Sequence, residues 1–206
     1  MALDGTYTGL LASLAGWLKR SDLTAVMPDF VALCEGRIAT DLRIRNQVLN
    51  TTWTTAPTVQ TIALPTDFLE LENLTLNTTP NRPLTYITPE QMDKEFPVGG
   101  GTGRPQAYTI IGQLLYFGPV PDQAYDIGAQ YYQRLSPLAT TPTNWLLVNY
   151  PAVYLYGALC EAAPWLIEDD RLAVWEGKYK STIDSLQTTD DTALRSGSVL
   201  RIRAVT

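Results

Sequence analysis

The sequence predicts an α+β fold. Helices from both ends of the chain form a bundle, and a mostly antiparallel β-rich insertion lies between them in the sequence. Apolar residues recur at three- and four-residue spacing near both ends, as they do on amphipathic helices. From Thr51 to about Leu135, Thr, Val, Ile and Tyr dominate, and Pro or Gly recur at short intervals, which is typical of strands and turns. No acid follows Asp191, so an extended, basic C-terminal arm is predicted. The predicted boundaries are 1–50 and 144–190 for the bundle, 51–143 for the insertion and 191–206 for the arm.

Two helices are predicted in the first fifty residues. The first carries an apolar stripe of Tyr7, Leu10, Leu11, Leu14, Trp17 and Leu18. Ser21 and Asp22 indicate a break and a cap, and Pro28 suits the first turn of the next helix, where its missing N–H is not needed. The second stripe consists of Phe30, Leu33, Cys34, Ile38 and Leu42. Arg37 and Asp41 are four residues apart and are expected to pair.

The middle of the chain contains short segments with strand composition. They are VQTIAL, LELENLTL, RPLTYIT, AYTIIG, LLYFG and YDIGAQYYQRL. A hairpin is predicted to turn at Gly112 and Gln113. Thr88 is expected to cap a short helix with Pro89 at its first position. The loop VGGGTGRP lacks the Lys-Ser/Thr ending of a phosphate-binding loop, so nucleotide binding is not predicted there.

Two more helices are predicted near the C-terminus. Asn149 is the expected cap of the first, with Pro151 in its first turn and Pro164 ending it. One face of this helix is predicted to hold Val153, Tyr156, Leu159, Cys160 and Ala163. The last helix is expected to open with the acids Glu168, Asp169 and Asp170, which complement the positive end of the helix dipole. Its predicted packing seam is Leu172, Trp175, Tyr179, Thr182 and Leu186.

The C-terminal arm is predicted to be the main binding element. Apolar and basic residues alternate in SVLRIRAVT, as in a strand that adds to the edge of a sheet in another subunit. The candidate contact residues are Arg195, Val199, Leu200, Arg201, Ile202 and Arg203. A frayed terminus in the free protein is the alternative, and both descriptions hold if the arm orders only on binding.

Catalytic and metal chemistry is not predicted. The chain has no histidine, which removes the commonest general base and metal ligand. Cys34 and Cys160 lie in apolar helical patterns, so buried free thiols are favoured over a disulfide. The acids at 161 and 168–170 could serve glycoside hydrolysis, but a structural role is favoured because three of them are adjacent at a helix start. An aromatic group could line a sugar site but is better explained as β core and interface rim; it comprises Tyr108, Tyr116, Phe117, Tyr125, Tyr131 and Tyr132.

The charge and the N-terminus restrict the partners. The formal net charge is -6, which argues against a general nucleic-acid-binding surface. The N-terminal apolar run follows an acid and precedes bases, the reverse of a secretory signal, and it is too short to span a membrane. A protein made in a cytoplasm that binds no membrane, metal or cofactor is therefore expected.

Five segments resemble the head–tail adaptor (connector) proteins of tailed bacteriophages. They are GWLKRSDL, MPDFVALCEGRIATDLR, LPTDFLELENLTL, RPQAYTIIGQLLYFGPVPD and YLYGALCEAAPWLIEDDRLAVWEGKY, the most specific. The resemblance implies a structural virion protein with no enzymatic activity, located in the neck at the head–tail junction. It also implies a dodecameric ring that binds the portal protein through the C-terminal arm and a downstream tail or nozzle protein on its other side.

Two other functions remain open from the sequence. One is a carbohydrate-binding or wall-degrading tail component that uses the β insertion. The other is a further neck or tail-completion protein of similar build. The negative charge is compatible with DNA passing through a ring without specific recognition, because like charge discourages contact with phosphate.

Overall fold

The structure is a computed structural model that describes residues 3–20, 22–97, 99–166 and 171–195. The helices are α1 (Tyr7–Leu18), α2 (Met27–Asp41), α3 (Pro89–Glu95), α4 (Trp145–Asn149), α5 (Pro151–Ala162) and α6 (Leu172–Arg195), with 3-10 turns at Arg45–Gln47 and Ala163–Leu166. The strands are β1 (Val48–Thr54), β2 (Thr61–Ala63), β3 (Phe68–Leu76), β4 (Arg82–Pro83), β5 (Thr85–Tyr86), β6 (Thr102–Gly103), β7 (Ala107–Ile111), β8 (Leu114–Gly118), β9 (Val120–Pro121) and β10 (Asp126–Gln133).

The chain forms two compact units. The helical unit contains the described residues up to Arg45 and from Leu135 onward, and the β unit spans Asn46–Arg134. The predicted α+β class, with helices at both ends and a mostly antiparallel β-rich middle, is confirmed. No helix among the described residues is both long enough and apolar enough to cross a bilayer.

Helix α5 is the centre of the helical unit. It contacts α1, α2, α4 and α6, and eight of its twelve residues are buried. Gly157 permits the close packing, since a Cβ there would overlap the Sγ of Cys34 and lie 3.2 Å from the ring of Tyr179. A helix enclosed by four others has no polar face to give to solvent, which explains its apolar sequence.

The β unit contains two four-stranded sheets and one two-stranded pair. The strand orders are β1-β10-β3-β4, β2-β8-β7-β5 and β6-β9. The pairs β5–β7 and β6–β9 are parallel, and the other described pairs are antiparallel. Buried side chains from the two larger sheets form one core, which includes Leu74, Leu76, Leu115, Phe117, Ile127 and Ala129.

Several local predictions are confirmed. Pro28 lies in the first turn of α2 and Pro151 in that of α5. Thr88 forms a capping box with Gln91, in which each side chain bonds the other residue's backbone N–H. The hairpin turns at Gly112 and Gln113, between paired Ile111 and Leu114. Gly112 has φ +62, a left-handed conformation that favours glycine.

Two predicted caps are wrong. Helix α2 begins at Met27 with Val26 as its N-cap and no side-chain cap, while Asp22 pairs with Arg20; Ser21 lies outside the described residues. Asn149 ends α4 instead of capping α5, and its amide donates to the carbonyl oxygen of Trp145. Asn149 therefore lies at a helix end, but on the other side of the break from the one predicted, and Asp22 lies five residues before α2, too far to cap it.

Other local predictions also differ from the structure. Leu33 is 57% exposed and does not belong to the buried stripe of α2. Strands β1, β6 and β9 were not predicted, and RPLTYIT is divided between β4 and β5 in different sheets. Helix α6 continues through Arg195, so residues 191–195 of the predicted arm are helical. The acids predicted to open it, Glu168, Asp169 and Asp170, lie outside the described residues.

Candidate assembly surfaces

Helix α6 carries the predicted arm and is fixed along one face. Trp175, Tyr179, Ile183 and Leu186 are buried in the helical core, at the three- and four-residue spacing that places them on one stripe. Tyr179 also donates its hydroxyl hydrogen to Asp41 Oδ2 at 3.1 Å. Of the predicted seam, Trp175, Tyr179 and Leu186 are buried, whereas Leu172 is exposed.

Arg37 connects three helices through its guanidinium group. Its Nη2 lies 2.6 Å from Glu176 Oε1, its Nη1 3.6 Å from Glu161 Oε1, and its Nε 3.5 Å from Asp41 Oδ2. The guanidinium also lies 4.3 Å from the centroid of the Tyr179 ring. These contacts join α2, α5 and α6. The predicted Arg37–Asp41 pair is therefore confirmed, but as part of a larger cluster.

The cluster perturbs its own ionisable groups. The hydrogen bond from Arg37 lowers the pKa of Glu176, because it favours the charged carboxylate. The same bond to Glu176 raises the pKa of Arg37. Burial raises the pKa of the Tyr179 hydroxyl, and the nearby Asp41 carboxylate raises it further. The shifts favour a charged Glu176 and Arg37 and a neutral Tyr179 hydroxyl, the states that support their mutual contacts.

The last turns of α6 are fastened to residues far away in the sequence. Arg45 Nε lies 2.7 Å from Asp190 Oδ1, and the backbone N–H of Arg45 donates to Asp190 Oδ2 at 3.0 Å. The amide of Gln187 donates to the carbonyl oxygen of Asp41 at 2.8 Å. Of the predicted arm residues, Arg195 is the last residue of α6. Val199, Leu200, Arg201, Ile202 and Arg203 lie outside the described residues.

Aromatic side chains are exposed on the helical unit. Trp17 is 45% exposed and packs edge-on against Tyr156, with ring centroids 5.8 Å apart. Trp165 is 57% exposed and contacts Phe30, with centroids 6.4 Å apart. Exposed tryptophans supported by a second ring are preferred anchors in protein–protein interfaces. The exposure of Trp17 was not predicted, since helical spacing placed it in the buried stripe.

The two cysteines are buried free thiols, as predicted. The Sγ of Cys34 lies 3.8 Å from the carbonyl oxygen of Tyr154. Burial raises the pKa of Cys34, and burial together with Glu176 raises that of Cys160 to about 11. A thiol that stays protonated at neutral pH is a poor nucleophile.

Of the acids considered for glycoside hydrolysis, Glu161 is described, and Glu168, Asp169 and Asp170 lie outside the described residues. Glu161 lies beside Arg37 in the ion-pair cluster, which supports a structural role. Among the described residues, no group of three or more Cys, Asp or Glu side chains is arranged to hold a metal ion.

The aromatic group of the β unit is divided between core and surface. Phe117 and Tyr131 are buried, whereas the Tyr125 hydroxyl donates to Asp122. Tyr108 packs edge-on against Tyr86, and both line an open groove of 540 Å³ with Phe68, Leu71, Ile110 and Glu70. Phe117 and Tyr131 therefore belong to the core, as predicted, while the interface rim stays a prediction.

The buried seams and exposed aromatics indicate a protein that works through contacts with other proteins. The sequence model of the SU10 adaptor protein family matches residues 5–203. The chain belongs to this family of phage adaptors. The predicted resemblance to tailed-phage head–tail adaptors is thereby confirmed, and the adaptor is a structural component of a phage virion. No curated protein matches its sequence.

Proposed function

We propose that the adaptor forms a dodecameric ring on the portal protein, in the neck of the virion, and joins the capsid to the tail. The main support for this proposal is the family match over residues 5–203, which includes both units and most of the predicted arm. The adaptor acts by assembly, without enzymatic activity, metal or cofactor. A downstream tail or nozzle protein binds on the far side of the ring.

The C-terminal arm makes the portal contact in this proposal. The arm is positively charged on a chain of net charge -6, because it contains Arg195, Arg201 and Arg203. It can therefore bind an acidic surface that would repel the rest of the chain. Val199, Leu200 and Ile202 supply apolar contacts between the arginines. The firm attachment of α6 supports this role, because the base of the arm is held by Asp190 and Gln187.

Ring formation uses the helical unit. A closed ring needs two different surfaces on each copy that meet head to tail. The exposed Trp17 and Trp165 provide apolar anchors for one such surface. DNA passes through the ring without specific recognition. The net negative charge of the protein limits binding of the ring to the DNA phosphates.

The experiment that tests the proposal mixes the purified portal with the full-length adaptor, and separately with a variant lacking residues 196–206. That deletion leaves α6 intact through Arg195. The full chain is expected to form a ring-on-ring complex in electron micrographs, and the deletion variant is expected to fold normally without binding.

Two charge-reversal variants sharpen the comparison. R201E/R203E should lose portal binding. A matched control, R82E/K94E, reverses two exposed charges in the β unit and should bind normally. Unchanged portal binding by the deletion variant would refute the role of the arm, and no complex with the full chain would refute the adaptor position.

A further inference from the structure

Strand β1 is a long, regular edge strand. It pairs with β10 over seven residues without a register shift, and it has no second partner among the described strands. None of its residues, Val48–Thr54, is buried. Its sequence VLNTTWT contains no charge, proline or glycine. Such an edge presents unpaired N–H and C=O groups that can accept another strand, and proteins usually protect it.

The other edges of the two larger sheets are much shorter. The far edge of the β1 sheet is β4, which has two residues, one of them Pro83. The second sheet ends in β2, with three residues, and β5, with two. Short strands and proline are common devices against unwanted pairing. Only β1, among the described edges, lacks both, so its open edge is best explained by a partner.

The geometry of β1 specifies that partner's side chains. The backbone N–H of Thr55 donates to the carbonyl of Tyr125, so the alternation of an antiparallel ladder directs the backbone groups of Asn50, Thr52 and Thr54 outward. On one face, Leu49 and Trp53 are paired with Tyr131 and Ile127, which are buried. An added strand must therefore offer apolar side chains on that face.

The opposite face of the sheet is polar and carries the Asp126 carboxylate. Asn50, Gln130 and Asn73 lie side by side across three strands, as do Thr52, Gly128 and Thr75. They line a depression of 340 Å³. At its end the Asp126 carboxylate accepts a hydrogen bond from Thr54 at 2.8 Å. This face offers amide and carboxylate oxygens, which suit the five N–H donors of arginine.

Residues 199–204 of this chain have the required pattern. Leu200, Ile202 and Ala204 alternate with Arg201 and Arg203, so an extended conformation places apolar groups on one face and guanidinium groups on the other. The run has six residues and β1 has seven. An edge and a different, complementary segment on each copy make a head-to-tail contact, the kind that builds rings.

We propose that, before the adaptor binds the portal, the β1 edge of one copy binds residues 199–204 of a second copy as an added strand. The proposal rests on the proposed function in one respect, because the same segment leaves β1 when it binds the portal. The contact is backbone pairing between β1 and the segment, which sets Leu200, Ile202 and Ala204 beside the face of Leu49, Thr51 and Trp53.

The test is hydrogen exchange of the full-length protein without portal, at about 100 µM and at about 1 µM. At the higher concentration, the amides of Asn50, Thr52 and Thr54 should exchange at least about tenfold more slowly. Ile202→Asp should abolish this protection. The control Thr206→Asp adds the same charge outside the alternating run and should keep it.

A substitution in β1 itself provides a second test of the contact. Thr52→Pro removes an outward N–H and should prevent self-association in sedimentation velocity, while Thr52→Val keeps that N–H and should self-associate normally. If Thr52→Pro does not fold, the exchange measurement on the wild type and Ile202→Asp decides alone.

Three outcomes would overturn the proposal. One is exchange that is equally fast at both concentrations. The second is exchange that is equally slow at both, which would place the segment on its own chain. The third is protection that persists in Ile202→Asp. Portal binding by the wild-type protein is measured separately. A failure at β1 with normal portal binding therefore leaves the proposed function standing, and loss of portal binding alone leaves the β1 contact standing.

Discussion

The helical unit and the β unit treat their polar groups in opposite ways. In the helical unit, the carboxylates of Asp41, Glu161 and Glu176 converge on Arg37, and α5 is enclosed by four helices. In the β unit, the outer edge of β1 has no partner among the described strands, and a polar face of the same sheet lines an open depression. The difference indicates a division of work. Substitutions inside the helical unit should cost stability, whereas those at the open surfaces of the β unit should affect partners.

The largest expected effect is that of Tyr179→Ala. The ring is 1% exposed, contacts the Arg37 guanidinium and donates to Asp41. Removing it should lower the free energy of unfolding by about 3–5 kcal/mol, as for other buried aromatics. Val174→Ala, at a 60% exposed position of the same helix, should change it by less than about 0.5 kcal/mol. Denaturant unfolding measures both, and similar losses would contradict the assigned packing of α6.

Two helical glycines offer a matched pair with opposite expected signs. Gly157→Ala forces a methyl group against Cys34 and Tyr179 and should destabilise the protein by about 1–3 kcal/mol. Gly177→Ala adds a methyl group with nothing within 4 Å and should stabilise α6 by up to about 1 kcal/mol. Thermal or denaturant unfolding of the two variants tests the contrast. A neutral Gly157→Ala would mean that α5 is not enclosed as described.

Arg37→Met should cost about 1–2 kcal/mol, because it leaves three carboxylates without their shared cation in a partly solvated cluster. It should also change the pH dependence of stability. The folded-state pKa of Glu176 is lowered, so its stabilising contribution is complete above the ordinary carboxyl pKa and is lost as the pH falls through the lowered value.

The comparison of wild type with Arg37→Met isolates that contribution. Burial raises the pKa of Glu35, which acts in the opposite direction on acidification, but Glu35 is present in both proteins. Unfolding measured from neutral pH to about pH 3 should therefore show a steeper acid loss in the wild type. Parallel curves would show that the Arg37–Glu176 pair does not contribute.

The smallest effect is expected in the β unit. Thr88→Ala removes half of the capping box of α3 and should cost about 1 kcal/mol. Hydrogen exchange should report faster opening of residues 89–95 in particular. Thr66→Ala, at an exposed turn position of the same unit, should leave that exchange unchanged, and equal effects of the two substitutions would argue against the cap.

Local signals were sufficient for much of this fold. The Thr88-Pro89 cap and the Gly112-Gln113 hairpin depend on residues adjacent in the chain, so the sequence contains their whole cause. Helix α6 is different. Residues 188–192 are Thr-Thr-Asp-Asp-Thr, poor helix formers that favour an earlier end. The helix continues to Arg195 while Asp190 binds Arg45, a contact between residues 145 apart in sequence.

The candidate surfaces were less predictable. Arg37 and Asp41 share a helix and were paired correctly, but Glu176 comes from α6 and is brought there only by tertiary packing. No residue of strand β1 is buried, and its sequence lacks clear apolar alternation. Composition alone therefore did not distinguish this strand from a loop. The spacing of apolar residues identifies the apolar stripe of a helix, but not how much of that stripe is buried. Trp17 belongs to the stripe of α1 and is nevertheless 45% exposed.

The most direct test of the central claim is electron cryo-microscopy of the purified portal mixed with the full-length adaptor. The expected result is one closed ring of this chain seated on the portal ring, with Val199, Arg201 and Arg203 in contact with portal residues. Portal rings without bound adaptor, at concentrations where both proteins are folded, would contradict it.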